Sequence, residues 1–329
     1  MSLVGIIANP SAGKDIRRLV AYGRVVPTHE KVNIIRRVLL ALDAMGVDSV
    51  VIMPDSSHMG WQAMEDTQLG LKADILDMPL FQDEDDSTRA AEMMVRMGAG
   101  CIVTLGGDGT NRVVSKGSGR VPIVPISTGT NNVFPAMVEG TTAGLAAGLV
   151  AEALVDPARV CITSKRIEVY LDGKLQDIGL IDLAVSKERA VAARAIWNID
   201  TIDQLVLCRA EPSGIGLSSI GAWLHPISAS DQMAMHLTLG PDGATVMAAI
   251  APGMVRRVPV AQWRLLRMNE RVEVTYTPCT IALDGERQFT VQSGQRVEVE
   301  VNMNGPQVVL VDEALREAAR LGVFVESPQ

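Results

Sequence analysis

Gly106-Gly107-Asp108-Gly109-Thr110 sets one acid among three glycines. It lies between an apolar run, Cys101-Ile-Val-Thr-Leu105, and a segment, Asn111-Arg-Val-Val114, that reads as a helix. A buried strand that enters a helix through glycines suits phosphate. Glycine lets the backbone approach a polyphosphate without side-chain collision, and the free amides of a helix start attract its negative charge. A carboxylate inside an anion-binding loop is unfavourable unless it holds a cation or takes a proton. Asp108 is therefore expected to partner Mg²⁺ or to act as the base for an attacking hydroxyl. An ordinary tight left-handed turn is the competing reading of the same glycines.

Two further turns follow strand-like runs and fall on the same edge of the expected sheet. Asn9-Pro10-Ser11-Ala12-Gly13-Lys14 comes after Gly5-Ile-Ile-Ala8, and Ser127-Thr128-Gly129-Thr130-Asn131-Asn132 comes after Val121 to Ile126. The first is expected to supply a second phosphate contact, or is a simple strand-ending turn. It is no Walker A loop, because Ala8 replaces the first glycine and Asp15 stands where Ser or Thr would bind magnesium. In the second turn Thr128, Gly129, Thr130 and Asn131 offer groups for ribose or phosphate, although Asn131 equally suits a helix cap. Asp284-Gly285-Glu286 is either a hairpin turn or a second acidic site. Arg256-Arg257 reads as a solvated pair, since neighbours on a strand face opposite ways.

These residues carry a resemblance. Gly106 to Thr110 resembles the signature shared by NAD kinases and the diacylglycerol and sphingosine kinases. Asn9-Pro10 resembles the nucleotide-binding turn of the lipid-kinase branch. With Asp15-Ile-Arg17-Arg18, the arrangement is similar to the ATP-NAD kinase and acetoin-catabolism X protein group over most of the chain. The resemblance implies ATP and Mg²⁺ as cofactors, with NAD as the acceptor substrate. It makes Asp284 a metal ligand beside Asp108, and Glu286 a second candidate base. Asp182 in Gly179-Leu-Ile-Asp182-Leu-Ala-Val185 and Ser213-Gly214 in Glu211-Pro-Ser-Gly-Ile-Gly-Leu-Ser-Ser-Ile-Gly221 match segments that hold the dinucleotide in NAD kinases. Two departures stand out: Ile181 replaces an asparagine before Asp182, and no tyrosine follows Ser213-Gly214. By its residues alone, Asp182 reads equally well as a strand-end carboxylate facing solvent. A serine hydrolase elbow is off register, because Gly216-Leu-Ser218-Ser-Ile-Gly221 has one residue too many.

The elements that must position these groups are legible as a rhythm. Val4 to Ala8, Ser49 to Met53, Ala73 to Met78, Cys101 to Leu105 and Val121 to Ile126 are strand-like. Lys31 to Met45, Ser57 to Gly70 and Asp86 to Met97 carry helical spacing between them. The alternation predicts an α/β domain with a doubly wound parallel sheet over 1–155, its ligand beyond the carboxyl ends of the strands. From about Asp156 the period changes to two. Arg166 to Leu171 and Lys174 to Ile178 flank Asp172-Gly173 as a hairpin. Met235 to Leu239, Arg271 to Tyr276, Thr280 to Leu283 and Val297 to Val301 continue as short strands. A predominantly β substrate-binding domain is expected over 156–302. Residues 303–329, with helical spacing at Asp312 to Leu321, are expected to pack back on the first domain, giving an NAD kinase/diacylglycerol kinase-like fold.

Composition narrows the partners. A chain of 329 residues and 35.2 kDa favours two domains and a cleft between them. Its charge of -8 argues against nucleic acid and anionic membranes and for a small-molecule substrate. No apolar run is long enough for a bilayer span, and Gly140 to Val155 reads as a buried helix. The start lacks a basic leader, so a cytoplasmic location is expected. Cys101, Cys161, Cys208 and Cys279 form no C-x-x-C pair and read as reduced, and the four histidines show no metal spacing. Family resemblance implies a homo-oligomer. The expected function is ATP-dependent phosphorylation of a small-molecule hydroxyl, with NAD yielding NADP. The alternatives are a polyol, sugar or lipid acceptor, and a nucleotide-binding regulator without catalysis.

Overall fold

A computed structural model of the chain describes residues 1–13, 21–65, 67–129, 132–188 and 198–325. In the first half, strands β1 (Leu3–Ala8), β2 (Ser49–Ile52), β3 (Lys72–Ile75), β4 (Cys101–Gly106) and β5 (Ile123–Ser127) alternate with helices. The helices are α1 (Thr28–Ala44), α2 (Met59–Glu65), α3 (Asp85–Arg96), α4 (Asp108–Gly117) and α5 (Gly140–Ala151). The five strands pair in parallel, in the order β3-β2-β1-β4-β5. Ile35, Leu39, Ala143 and Ala147 pack against Val4, Ile6 and Val103 on one face, while Ala90 and Met94 cover Ile7 and Ile102 on the other. The sheet is therefore doubly wound, with its central strand β4 buried throughout.

After the short helix α6 (Pro157–Val160) the chain turns to β structure. Strand β6 (Cys161–Thr163) lies at the edge of the first sheet, and a hairpin joins β7 (Arg166–Leu171) to β8 (Lys174–Gly179). Its turn residues Asp172 and Gly173 both take positive φ, as the twist of a two-residue hairpin requires. Next come β9 (Asp182–Ser186), β10 (Ile202–Leu207), helix α7 (Ser218–Ala222), β11 (Met233–Ala251), β12 (Met254–Arg267) and β13 (Arg271–Glu273). β14 (Cys279–Leu283), β15 (Glu286–Val291) and β16 (Val297–Asn302) complete the β half. They form a six-stranded sheet, β12-β11-β10-β9-β14-β15, and a four-stranded sheet, β13-β16-β7-β8. Ile167, Val169, Leu183 and Val185 pack between the two sheets.

The chain then returns. Strand β17 (Gln307–Val309) inserts between β5 and β6, and helix α8 (Val311–Leu321) buries Val311, Ala314 and Ala318 in the first core. The structure differs from the sequence expectation at β11: the short strand expected over Met235 to Leu239 runs on to Ala251, and carries Gly240 to Gly243 as a bulge, with Leu239 and Ala244 both facing Val260 across the ladder. Arg256 and Arg257 are both exposed on β12. No helix among the described residues is long and apolar enough to cross a membrane.

Candidate functional site

Strand β4 delivers Gly106-Gly107 to the start of α4, so Asp108, Gly109 and Thr110 make up the first turn of that helix. The glycines are required by close neighbours. A Cβ on Gly106 would lie 2.4 Å from Thr110 Cβ. On Gly107 it would lie 2.7 Å from Asn132 Oδ1, and on Gly129 2.6 Å from Asn132 Nδ2. The space these residues free is thus filled by Thr110 and Asn132, which lock the loop to the turn after β5. Asn132 Nδ2 donates to Ser127 Oγ, and Thr128 N–H donates to the Gly106 carbonyl. The hydroxyl of Thr128 is buried without a hydrogen-bond partner among the described residues.

The first turn docks on the same loop. Asn9 Nδ2 donates to Thr110 Oγ1 at 2.9 Å, and Asn9 Oδ1 accepts the Ser11 N–H at 2.8 Å. Beneath it, the fully buried Lys31 donates to the carbonyls of Asn9, Pro10 and Ala12. An ammonium that gathers three carbonyls neutralises their partial charge and fixes the turn. Gly13 takes φ +78 at its end, a conformation that favours glycine.

Asp108 is 8% exposed. Its carboxylate accepts Val133 N–H at both oxygens, at 3.0 and 3.2 Å, and Phe134 N–H at 2.8 Å. It therefore shapes the turn after β5. Glu286 comes from the other half of the chain: a Cβ on Gly109 would meet its Oε2 at 3.5 Å. The hairpin turn that carries Glu286 thus reaches the glycine-rich loop at the positive end of α4.

Two expected site residues are placed differently from the expectation. Asp284, at φ +52 and 4% exposed, was expected to hold a metal. Its carboxylate instead accepts Leu180 N–H at 2.9 and 3.2 Å and Ile181 N–H at 2.8 Å, with Arg112 Nε 3.9 Å away. Burial pushes its carboxyl above the usual range, opposed by Arg112 and by those amides. Asp182 does not face solvent as a strand-end carboxylate would. It is 5% exposed, its Oδ1 accepts the Gly285 N–H at 3.2 Å, and its carbonyl accepts the Asp284 N–H at 2.9 Å. Asp182 and Asp284 thus lock the turn that presents Glu286, because a tight turn has backbone N–H groups that need acceptors. Pro10, Ser213 and Gly214 lie in turns, with Gly214 N–H donating to the Glu211 carbonyl. Thr130 and Asn131 lie outside the described residues, as do Lys14, Asp15, Arg17 and Arg18.

Among the described residues no three His, Cys, Asp or Glu side chains gather around one point as a cation cage. A magnesium ion that keeps its waters needs only one or two carboxylates beside its phosphates. Asp108 and Glu286 border the loop and fit that use. The sequence reading missed Lys31, Asn132 and Arg112. Lys31 was detectable as a lysine on the apolar face of α1, in register with Ile35, Val38 and Leu42. Arg112, fully buried, ion-pairs Asp177 at 2.9 Å and Glu84 at 3.2 Å.

A doubly wound sheet whose glycine-rich helix start meets an acidic turn from a β half defines an NAD kinase-like kinase scaffold. The ATP-NAD kinase N-terminal domain family matches residues 4–154, and the acetoin catabolism protein X C-terminal domain family matches residues 165–304. Over 343 aligned residues the chain is 37% identical to acetoin catabolism protein X of Cupriavidus necator, covering 99% of this chain and 95% of that protein. The chain belongs to the acetoin catabolism protein X family. Two solved structures of a diacylglycerol kinase candidate from Bacillus anthracis str. Sterne cover 94% of this chain and 97% and 98% of theirs, at 12% identity and a TM-score of 0.47.

Proposed function

We propose that this protein transfers the terminal phosphoryl group of ATP to a hydroxyl of a small molecule, with NAD as the first acceptor to test. The observation that supports this reading is the placement of Glu286 against Gly109, which joins an acid from the β half to the loop that begins α4. In the proposed reaction the acceptor oxygen bonds to the terminal phosphorus as the bond to the bridging oxygen breaks. ADP leaves, and the hydroxyl proton passes to a carboxylate. Glu286 is the better candidate for that base. Asp108 has its carboxylate oxygens occupied by two backbone amides, which aim it at the turn after β5 and away from an acceptor hydroxyl. Asp108 instead holds the turn after β5 in place, while the amides of Gly109 and Thr110 at the start of α4 and the Asn9 turn receive phosphate oxygens. When bound with the nucleotide, Mg²⁺ would neutralise phosphate charge beside Asp108 and Glu286.

One observation favours an acceptor other than NAD. Asp182 is committed to the Gly285 amide, and Ile181 beside it is buried. The pair that would hold a dinucleotide is therefore not offered to the cleft. The relative's name ties that protein to acetoin catabolism, so acetoin and related hydroxy compounds belong in the same assay.

The test measures ADP release with ATP and Mg²⁺ against NAD, acetoin and simple polyols, with NADP read by an NADP-specific dehydrogenase. The Glu286→Gln variant should keep its fold and its nucleotide binding and lose about a hundredfold or more in turnover. Full turnover in that variant would return the base role to Asp108. Absence of ADP release with every acceptor would reject the kinase reading.

A further inference from the structure

Arg209 follows strand β10 and is 7% exposed, yet no carboxylate hydrogen-bonds to it among the described residues. Its backbone neighbours are fixed on both sides. Cys208 N–H donates to the Ile181 carbonyl at 2.8 Å, and Ala210 pairs with Ile227 in both directions. The side chain crosses to the first half of the molecule. Its Nη2 donates to Ser164 Oγ at 3.1 Å, and its guanidinium lies 5.0 Å from the centre of the Phe134 ring. Phe134 belongs to the turn after β5, and its own N–H donates to Asp108. Arg209 is therefore held against the turn that Asp108 organises, between that turn and the residues that lead into β7.

The hydrogen-bonding of this arginine is incomplete. A guanidinium has five N–H donors in one plane, and among the described residues the acceptor found for them is Ser164 Oγ, at Nη2; Nε is buried with none. Nearly all buried polar groups find partners, so an orphan donor beside a candidate site marks a missing ligand group. The Phe134 ring lies against the guanidinium carbon and offers its N–H donors no oxygen acceptor. A planar or tetrahedral anion with two oxygens fits such an edge. Burial lowers the pKa of Arg209, while the charges of Glu211, Cys208, Asp108 and Asp284 oppose that shift. An anion at the open edge would add to that support.

We propose that Arg209 is a specificity residue that binds an acid group, carboxylate or phosphate, carried by the acceptor, so that the acceptor is an anionic hydroxy compound rather than a neutral one. The inference rests on the kinase reading for the word acceptor, whereas the anion site stands on geometry alone. Placement argues for the acceptor over the donor. Arg209 is carried by the β half, on the strand next to β9 and the locked turn of Glu286, whereas the phosphate loop and the Asn9 turn belong to the first sheet.

The test is calorimetric and needs no turnover. Wild-type protein with Mg²⁺ and a non-hydrolysable ATP analogue is titrated with matched pairs: glycerate against glycerol, glycerol phosphate against glycerol, and lactate against acetoin. The anionic member should bind about tenfold or more tightly in at least one pair. In Arg209→Met that preference should vanish, while affinity for the ATP analogue changes by less than about threefold. Arg209→Lys, which keeps the charge and loses the fork, should retain part of the preference. Equal binding of both members in every pair by the wild type overturns the proposal, whether or not the variants fold. A preference unchanged in Arg209→Met also overturns it, as does loss of the ATP analogue alone, which would assign Arg209 to the donor phosphates. ADP release is measured separately. A preference for anions without turnover would sink the kinase reading and keep the site, and turnover without the preference would do the reverse.

Discussion

Lys165 stands at the crossover from β6 to β7, fully buried, with its Nζ donating to the carbonyls of Ser228 at 3.0 Å and Met233 at 2.9 Å. Burial pulls its pKa down to about 8; Arg209 acts in the same direction, while Cys208, Asp231 and Glu211 oppose it. A neutral amine still has two N–H groups for two carbonyls, so deprotonation need not cost the hydrogen bonds. The sign of the pH effect follows from linkage. Below about pH 8 both folded and unfolded chains hold the proton, and the folded state bears the full cost of a buried charge. Between that value and the unfolded value near ~10.4, the unfolded chain holds the proton and the folded chain does not, so stability rises with pH. The wild type should therefore gain on Lys165→Met as pH rises from about 7 to about 10, with a slope of up to about 1.4 kcal/mol per pH unit. Paired urea titrations across that range check it. A stability difference that does not change with pH would show that the lysine's protonation is the same in both states.

At the scale of elements, the contact between α1 and α5 depends on a glycine stripe. Gly140, Gly144 and Gly148 recur every four residues along one face of α5. A Cβ on Gly144 would lie 2.7 Å from Ala41 Cβ and 2.8 Å from the Val38 carbonyl oxygen. Because a neighbour is backbone, the side chain has no way to swing aside and the helices must separate. Gly144→Ala gains up to about 1 kcal/mol of helix propensity. Overpacking costs about 1–3 kcal/mol, so the net effect should be destabilising. A lower urea midpoint with an unchanged slope is the expected reading, and a raised midpoint would mean the helices have room. The sequence showed α5 as a buried helix and showed the parallel strands and the Asp172-Gly173 hairpin, because each is written in local periodicity. It showed the glycine-rich entry from β4 into α4 for the same reason, since the glycines and Asp108 are contiguous. It did not show what Asp182 and Asp284 do. Their partners, Gly285 and Leu180-Ile181, come from strands paired only by the fold, and a resemblance to dinucleotide contacts carries no information on that pairing. Arg209 was hidden in the same way, as Ser164 and Phe134 are remote in the chain.

At the scale of the whole molecule, the two halves meet through a buried charge. Arg112 follows the phosphate loop on α4 and reaches Asp177 on β8 and the Asp284 carboxylate of the Glu286 turn, with Glu84 from the first half as its third partner. Asp177 also takes Lys116 at 2.6 Å. One arginine thus ties the loop expected to bind phosphate to the turn expected to carry the base, and its position sets their separation. Removing one member of a buried ion-paired group leaves the others uncompensated, at a cost of about 3–5 kcal/mol. Arg112→Met should cost that much, because Asp284 is sealed from water and among the described residues keeps only backbone amides, those of Leu180, Ile181 and Asp182. Adding Asp284→Asn to Arg112→Met removes the stranded charge and should recover part of the loss, so the two changes together should cost less than their sum. Urea unfolding of the two single variants and the double variant measures that coupling. Additive costs would mean that Arg112 stabilises each half separately, and the link between loop and turn would then rest on the approach of Glu286 to Gly109.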